Sequence, residues 1–283
     1  MPGPDVIHTQ PLDDGRVEIN LAHAAALERN GFRRFEDFAR ATSVQVARSF
    51  PGRSTVRLEL ALDHTRLGAY LKRYERGYRS REGAWRRWLG GSATGDEARH
   101  EWETLLRLRA AGFPVPQPIA VGRERRRNAA RSFLMTEEIP GGQEGDKYLA
   151  ALPPARRRHL LEAVAGFVAR FHAAGFVHRD LYLCHVFVTP AHPGWSLHLI
   201  DLQRVARPRW FRRRWIVKDL AALAYSALKS GASSVSLARA FRRYLGRRQL
   251  TPADRRLARQ ILRRVAWLKT RTPKYDTNFT QLR

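Results

Sequence analysis

The feature that most constrains the fold is a change in residue pattern at Gly141. Before that point apolar and polar residues alternate, as in residues 56–60, which is the period of a half-buried strand. After it apolar residues recur at helical spacing, as in residues 160–171. Strands in one half and helices in the other predict an α+β chain with two lobes. We expect a β-rich N-terminal lobe over residues 1–140 and a helical C-terminal lobe over residues 141–283.

The predicted N-terminal lobe consists of a helical extension, a sheet and one further helix. The extension covers residues 21–40, where Phe32, Phe35 and Phe38 form an apolar stripe. Strands are predicted within residues 44–74, 119–122 and 132–138, and the basic run from Arg123 to Arg127 is predicted to be the turn between the last two.

The remaining helices are predicted from capping signals and helical periodicity. Thr94 followed by Glu97 has the spacing of a capping box, which predicts a helix over residues 94–111. Gly112 is expected to end that helix. In the second half, helices are predicted at residues 216–229, 234–245 and 252–269.

The charge of the chain favours an anionic partner. Lysine and arginine total 52 against 26 acidic residues, which gives a net charge of +26. A field of that size suits nucleic acid, an acidic membrane surface or a phosphorylated substrate, and charge does not choose among them. An arginine-rich composition can also reflect a GC-rich genome, so the charge by itself assigns no function.

Cysteine usage and hydropathy bound the environment. The chain has one cysteine, Cys184, so it can form neither an internal disulfide nor a cysteine metal cluster, and we expect a small core residue there. The N-terminus has no apolar signal core, and no stretch reaches the roughly 18 apolar residues of a membrane span. These observations predict a cytoplasmic protein, with attachment to a membrane surface left open.

A candidate catalytic base lies in the run from His178 to His185, which reads HRDLYLCH. Phosphoryl transfer needs a base near the acceptor hydroxyl, and Asp180 can accept that proton. His178 and Arg179 are expected to support the loop. Kinases carry Asn five residues after the aspartate, where this chain has His185. Because Mg²⁺ prefers oxygen ligands, His185 is interpreted as a weak metal ligand, a phosphate donor or a structural residue.

A candidate metal ligand, Asp201, follows an apolar strand 21 residues after Asp180. That separation fits a hairpin that brings the two acids to one site. A tripeptide such as HRD is a weak signal alone, and so is a strand that ends in aspartate. Together, in this order and after a predicted hinge, they predict a phosphotransferase with a protein-kinase-like fold.

The candidate phosphate lysine is Lys72, on a predicted strand ahead of the acidic helix. Arg73 and Arg76 are competitors, and a solvated lysine is the ordinary alternative in so basic a chain. A kinase lysine pairs with a helix carboxylate. Glu97 and Glu101 share the apolar face of that helix, and Glu101 is predicted to be the partner because Glu97 is a candidate capping residue. Glu103 is expected to be solvated.

Further cofactor-binding and supporting residues are predicted with weaker signals. Gly52, Arg53 and Ser54 form a turn with one glycine, whose amides and side chains are candidates for phosphate contacts. Glu138, at the end of a predicted strand, is a further cofactor-binding candidate. Asp219 is predicted to start a helix, where it either stabilises the helix end or holds the backbone of the catalytic loop.

At these motifs the chain resembles the bacterial lipopolysaccharide core kinases, which phosphorylate heptose or Kdo (3-deoxy-D-manno-octulosonic acid). The resemblance covers about residues 45–230 and is most specific at three places: the HRDLYLCH loop with His185 in place of Asn, the segment from Asp201 to Val205, and the helix that begins Lys218-Asp219. The single-glycine turn at Gly52 is also similar to theirs. These departures from ordinary kinases are therefore shared with the family.

The resemblance implies ATP, Mg²⁺ and a sugar hydroxyl on a lipid-linked core as acceptor. It implies a cytoplasmic enzyme that is peripheral on the inner membrane, with no nucleic acid partner. Gln203 stands where the family often has histidine, which leaves the acceptor preference open. The basic and aromatic run over residues 207–215 suits an anionic amphiphilic surface, although nucleic-acid patches have a similar composition.

Two alternatives remain open at the level of sequence. One is a kinase of another acceptor, either a protein or an aminoglycoside-like small molecule. The short stretch from Gln203 to Lys218 argues against a regulated protein kinase. The other is a non-catalytic basic module of kinase shape, which His185 and the missing glycines motivate.

Overall fold

The fold is described from a computed structural model. It covers residues 6–42, 46–50, 52–77, 97–126 and 129–271. Its contacts divide the chain into two compact units. The first comprises the described residues of Met1–Pro140 together with Asp201–Gln203, and the second those of Gly141–Ile200 and Arg204–Arg283. No helix among the described residues has both the length and the apolar character that crossing a membrane requires.

The first unit is built on a seven-stranded antiparallel sheet. Its strands are β1 (Thr9–Leu12), β2 (Val17–Asn20), β3 (Val46–Phe50), β4 (Arg53–Ala61), β5 (Arg66–Gly77), β6 (Pro118–Arg126) and β7 (Ala129–Glu137). They lie in the order β1-β2-β6-β7-β5-β4-β3. Three helices accompany the sheet: α1 (Ala24–Arg29), α2 (Phe35–Arg40) and α3 (Glu97–Ala110).

The predicted periodicities account for the core of this unit. Val56, Leu58 and Leu60 of β4 are buried, which confirms the predicted alternation along that strand. The phenylalanine stripe of the N-terminal extension is also buried, and Phe38 stacks on Phe133 of the sheet with ring centroids 4.3 Å apart. Helix α2, with Phe32 just before it, therefore covers one face of the sheet with aromatic side chains.

In this unit a predicted turn is part of a strand, and two short strands were not predicted. The predicted basic turn at Arg123–Arg127 is wrong as far as Arg126, because β6 runs through Arg126 and pairs with β7. Acidic side chains balance this hairpin: Arg131 of β7 forms ion pairs with Glu124 and Glu36. Strands β1 and β2 were not predicted, since four residues are too few to show a period. The proposed N-cap Thr94 lies outside the described residues.

The second unit is mainly helical. Its helices are α4 (Gly145–Ala151), α5 (Pro154–Ala173), α6 (Arg212–Lys229), α7 (Ser234–Leu245) and α8 (Pro252–Lys269). A small antiparallel sheet of order β10-β9-β8 joins β8 (Gln143–Glu144), β9 (Val186–Pro190) and β10 (Trp195–Leu199). The bounds of α7 and α8 equal the predicted ones. The sheet-rich first unit and the helical second unit confirm the predicted α+β class.

Candidate functional site

The clearest feature of the first unit is a buried ion pair between β5 and α3. Lys72 Nζ donates to Glu101 Oε1 at 2.6 Å, and Glu101 is 2% exposed. The pairing predicted from the sequence is thus confirmed. Arg73 points away and donates to the main-chain carbonyl of Phe38, as strand alternation requires. Glu103 is exposed and pairs with Arg99 at 3.3 Å, as expected for a solvated residue.

The segment that carries Asp201 is bound to this pair. The main-chain N–H of Leu202 donates to Glu101 Oε1 at 3.3 Å, and Gln203 Nε2 donates to the Tyr74 hydroxyl at 2.8 Å. That hydroxyl in turn donates to Glu101 Oε2 at 3.3 Å. Burial, and then the Glu101 carboxylate, raise the pKa of Tyr74 well above its usual value, so the phenol keeps its proton. The Gln203 side chain therefore helps to hold the segment of Asp201 in place through the Tyr74 hydroxyl.

Asp201 itself has a strained backbone and a cation nearby. Its φ is +54°, a left-handed value that is uncommon for residues other than glycine. Arg53 Nη2 lies 3.9 Å from Asp201 Oδ1, and the Arg53 guanidinium lies 5.4 Å from the centroid of the Tyr74 ring. A half-buried carboxylate of this kind suits a hard divalent cation. Its role as a metal ligand remains a prediction.

The predicted phosphate turn requires its glycine. Gly52 has φ +73°, and a Cβ atom there would lie 2.5 Å from the Glu75 carbonyl oxygen. Arg53 and Ser54 follow at the start of β4, and Ser54 pairs with Arg73 in the sheet. The turn is therefore built for a close approach of two backbones. Phosphate binding by Gly52, Arg53 and Ser54 remains a prediction.

The carboxylate of Glu138 has partners within the first unit. Arg57 Nη2 donates to Glu138 Oε2 at 2.7 Å, and Arg57 Nε lies 3.0 Å from both oxygens. The Tyr70 hydroxyl donates to Oε1 at 3.3 Å. These bonds tie the residue after β7 to strands β4 and β5. A cofactor-binding role for Glu138 remains a prediction, and its carboxylate is already engaged by Arg57.

In the second unit, α6 holds the loop that carries Asp180. The carboxylate of Asp219 is 0% exposed, and its Oδ2 accepts from the main-chain N–H of His178 at 2.7 Å. The prediction that Asp219 starts a helix is wrong, because α6 already begins at Arg212, within the basic run. The alternative prediction, that Asp219 holds the backbone of the catalytic loop, is confirmed.

Asp219 also belongs to a buried network that the sequence did not reveal. Its Oδ2 lies 3.3 Å from His172 Nε2 of α5, and His172 Nδ1 lies 2.9 Å from the Tyr244 hydroxyl of α7. Burial raises the pKa of Tyr244 to about 12, so its hydroxyl stays protonated at neutral pH. The His172 ring thus joins three helices, α5, α6 and α7. Residues so distant in sequence give no periodic or motif signal.

The residue before Asp219 holds the next residue of the loop. Lys218 Nζ donates to the main-chain carbonyl of Arg179, whose φ of +67° is left-handed. The Arg179 guanidinium lies 4.2 Å from the centroid of the Trp215 ring, also on α6. Lys218 and Asp219 therefore fix two consecutive residues ahead of Asp180 in a strained conformation. Sequence reasoning assigned support to Arg179 and missed Lys218.

Asp180 is buried and lies beside a cation. Arg204 Nη1 is 3.6 Å from Asp180 Oδ2, a distance for charge attraction rather than a hydrogen bond. Burial, and then Asp180, raise the pKa of Tyr182 to about 12, so the phenol stays protonated at neutral pH. Asp180 is the acidic residue of the run from His178 to His185.

A hydrogen bond to the main chain orients the His185 ring, and its role as a metal ligand remains a prediction. Its Nδ1 lies 2.8 Å from the Asp180 main-chain carbonyl, which can only accept, so Nδ1 carries the proton. Nε2 of the neutral ring then has a lone pair, and metal-bound histidines often show this second hydrogen bond. Nitrogen suits Mg²⁺ less well than oxygen. The main-chain N–H of Ile200, directly before Asp201, donates to the His185 carbonyl at 3.0 Å.

Truncating Asp219 should destabilise the protein. Asp219→Ala leaves the His178 amide and the His172 ring without a buried acceptor, which we expect to lower the free energy of unfolding by about 3 kcal/mol. Urea titration followed by circular dichroism measures the loss. Asp63→Ala removes a carboxylate that is 75% exposed, and we expect almost no change. Equal losses for both variants would contradict this account of the network.

The Lys218 ammonium should set an alkaline limit on activity. Burial, and then the nearby Arg204, lower its pKa below the ordinary lysine value. As pH rises through that lowered pKa, the charged hydrogen bond to Arg179 weakens, so kcat should fall. Lys218→Arg stays charged and should move the fall to higher pH, whereas Lys218→Met should lose about tenfold in kcat at all pH values. An unchanged pH profile in Lys218→Arg would contradict this role.

Comparison with known proteins agrees with these features. A profile of the lipopolysaccharide kinase (Kdo/WaaP) family matches residues 39–256. The lipopolysaccharide core heptose(I) kinase WaaP of Pseudomonas aeruginosa is 35% identical over 192 residues, which cover 62% of this chain and 68% of that protein. The 3-deoxy-D-manno-octulosonic acid kinase of Stenotrophomonas maltophilia is 32% identical over 118 residues, 41% of this chain and 44% of that one.

A solved structure shares the fold over nearly the whole chain. It is described as WaaP in complex with acyl carrier protein, and it superposes with a TM-score of 0.63 at 28% sequence identity. The match covers 90% of this chain and 97% of the other. With the profile match over most of the sequence, these likenesses show that the chain belongs to the lipopolysaccharide kinase (Kdo/WaaP) family.

Proposed function

We propose that this protein is an ATP-dependent kinase that phosphorylates a sugar hydroxyl, on heptose or Kdo, in the inner core of lipopolysaccharide. Membership of a family of lipopolysaccharide kinases supports phosphoryl transfer to this class of acceptor. The observation that carries the proposal is that the two residues proposed for phosphate binding and for the base, Lys72 and Asp180, are both held in place by buried or charged contacts. Lys72 is held by buried Glu101, and the loop of Asp180 is held by Lys218 and Asp219.

Separate groups of residues are proposed to bind ATP and Mg²⁺. Lys72 binds the phosphates of ATP, and the Gly52 turn with Arg53 and Ser54 contacts them through amides and side chains. Asp201 would hold Mg²⁺, and His185 is considered separately as a candidate ligand. The carboxylate fits a hard cation, and the imidazole is a weaker match for it. Bound Mg²⁺ neutralises charge on the phosphates during transfer.

Asp180 acts on the acceptor. The acceptor hydroxyl oxygen forms a bond to the γ-phosphorus, the bond from that phosphorus to the bridging oxygen breaks, and ADP leaves. The hydroxyl proton passes to the Asp180 carboxylate, which serves as general base. Arg204, 3.6 Å from Asp180, places positive charge beside this carboxylate and is exposed enough to meet an acidic sugar. The strained backbone at Arg179 fixes the direction of the attacking group.

A lipid-linked acceptor would determine where in the cell the protein acts. We propose that the protein acts in the cytoplasm as a peripheral protein on the anionic inner face of the inner membrane. Its surplus of positive charge supports attraction to anionic headgroups and to acidic core sugars. Acyl carrier protein, the partner named for the similar structure, is a second candidate partner for this chain.

The proposal is tested with a panel of acceptors. The protein is incubated with ATP and Mg²⁺ together with one of four acceptors: heptose-terminated core, Kdo-terminated core, a serine-containing peptide or an aminoglycoside. Phosphate should appear on one of the core acceptors only. Transfer to the peptide or the aminoglycoside alone would assign a different acceptor class. No ATP binding by folded protein would instead favour a non-catalytic module.

A further inference from the structure

One face of the second unit carries arginines without acidic partners. We call it the arginine surface. A first recess is lined by Arg213, Arg256, Arg259, Gln260 and Arg263. A second recess shares Arg213, Gln260 and Arg263 with the first and adds, among others, Phe211, Arg214, Lys218 and Trp267. The two recesses are therefore continuous along α6 and α8. No carboxylate lines either of them.

The spacing along α8 explains why this face is basic. Its buried residues, Ile261, Val265 and Leu268, mark the side that faces the protein. Arg256 and Arg263 are seven residues apart and lie on the opposite side, so the helix is amphipathic with arginines outward. Arg213 Nε donates to Gln260 Oε1 at 3.3 Å, which joins α6 to this face.

The charge on this face is not neutralised within the described part of the chain. Arg213, Arg256, Arg259 and Arg263 have no ion pair with any described carboxylate. Four guanidinium groups in one recess repel one another, because like charges at short range are unfavourable. An anion with several acceptor oxygens would relieve that repulsion, and phosphate fits the planar fork of arginine.

Large apolar side chains beside the arginines indicate what kind of anion binds. Trp210 is 79% exposed and Phe211 is 82% exposed, at the start of α6. Trp267 of α8 is partly exposed, with the Arg264 guanidinium 3.8 Å from its ring centroid. Aromatic and basic residues together are typical of a lipid–water interface. A partner recognised by charge alone would not explain exposed rings of this size.

The structure shows which residues of the basic run 207–215 contact the rest of the second unit and which are exposed. Arg207 donates to the Ala174 carbonyl at 2.8 Å and lies over the Phe176 ring, so it is used inside the second unit. Trp215 packs under Arg179. Besides Arg207, the exposed members are Arg209, Trp210, Phe211, Arg213 and Arg214. The remaining arginines of the surface come from α8, which the sequence motifs did not mark.

We propose that the arginine surface docks the protein on an anionic phospholipid bilayer. The guanidinium groups of Arg213, Arg256, Arg259 and Arg263 hold headgroup phosphates, and the rings of Trp210 and Phe211 enter the interface. The proposal rests on the proposed function in one respect: that function supplies the lipid-linked acceptor. Docking itself requires neither ATP nor an acceptor, so it is measured separately.

Vesicle sedimentation tests the proposal with a charge-matched control. Vesicles contain phosphatidylcholine alone or with about one quarter phosphatidylglycerol. The triple variant Arg256→Gln, Arg259→Gln, Arg263→Gln should bind the anionic vesicles about a hundredfold more weakly than the wild type. The control Arg239→Gln, Arg242→Gln, Arg248→Gln removes the same charge from exposed positions outside the surface. It should lose less than tenfold, since only long-range attraction changes.

The aromatic contribution is tested by Trp210→Ser with Phe211→Ser. This variant should weaken binding to anionic vesicles in a way that added salt does not mask, because ring insertion is not screened. Equal losses in the two arginine triples would overturn the proposal, as would equal binding to neutral and anionic vesicles.

A further arm separates lipid from an acidic protein. If the α8 triple binds anionic vesicles normally but no longer binds purified acyl carrier protein, the surface is a protein-docking site and the proposal is wrong. Absence of kinase activity in the wild type, with vesicle binding intact, would count against the proposed function and leave the docking surface standing.

Discussion

Asp180→Asn should reduce phosphoryl transfer to the core acceptor by about a thousandfold, because the amide cannot take the hydroxyl proton. The substitution keeps the size of the side chain, and the main-chain bonds of His178 and Arg179 to α6 do not involve it. ATP affinity, measured by fluorescent nucleotide titration, should therefore change less than threefold. Single-turnover transfer with saturating ATP and acceptor measures the loss directly.

Asp146→Asn is a suitable control for this experiment. Asp146 is in the same unit, in the first turn of α4, and its carboxylate accepts only a local main-chain bond from Lys147 among the bonds recorded for it. Its substitution should leave transfer close to the wild-type rate. Transfer by Asp180→Asn at an undiminished rate would show that Asp180 is not the base and would revive the non-catalytic interpretation.

Lys72→Met should remove both a phosphate contact and the partner of a buried carboxylate. We expect kcat/KM for ATP to fall by at least about a hundredfold, as loss of a charged contact to the phosphates would predict. Removing one member of a buried ion pair should also lower stability. Lys147→Met changes a lysine that is 66% exposed in its ion pair with Glu144, and it should alter neither quantity.

A double variant separates the two effects of Lys72. Lys72→Met with Glu101→Gln removes both charges but keeps a carbonyl oxygen that can accept from the Leu202 amide, so part of the stability lost in Lys72→Met should return. Activity should remain low, because no cation reaches the phosphates. Recovery of activity together with stability would show that Lys72 has a structural role only.

Periodicity and motif order predicted the parts of the structure that depend on local sequence. The bounds of α7 and α8 were predicted because their apolar residues recur at helical spacing between clear capping signals, such as the Thr251 capping box. The Lys72–Glu101 pair was predicted because a strand and an acidic helix follow each other. Glu97 and Glu101 both lay on the apolar face, and Glu97 was a candidate for the capping box. The resemblance to the family was most specific within residues 178–227.

The remaining features depend on contacts between distant segments. Tyr244, His172 and Asp219 meet in one network from three helices, and none of their spacings is periodic. The position of Asp219 inside α6 was missed because consecutive arginines resemble a solvated loop more than a first helical turn. Lys218 was missed because its bond to Arg179 depends on a left-handed loop residue, which residue types do not reveal.

The arrangement of α6 explains how a loop with unusual residues keeps its shape. Asp219 binds the amide of His178 and Lys218 binds the carbonyl of Arg179, so one helix turn fixes the peptide units before His178 and after Arg179. His185 adds a bond to the carbonyl of Asp180. The histidine that replaces the usual asparagine therefore supports the loop directly, whether or not it also binds metal.

The most direct test of the account is the mass of a defined acceptor after incubation with the protein. Dephosphorylated core glycolipid is incubated with ATP and Mg²⁺ and either wild-type protein or Asp180→Asn. The account predicts that the wild type adds the mass of one phosphoryl group, with one ADP formed for each, and that Asp180→Asn adds none in the same time. An unchanged glycolipid mass with folded, ATP-binding wild-type protein would contradict the central claim.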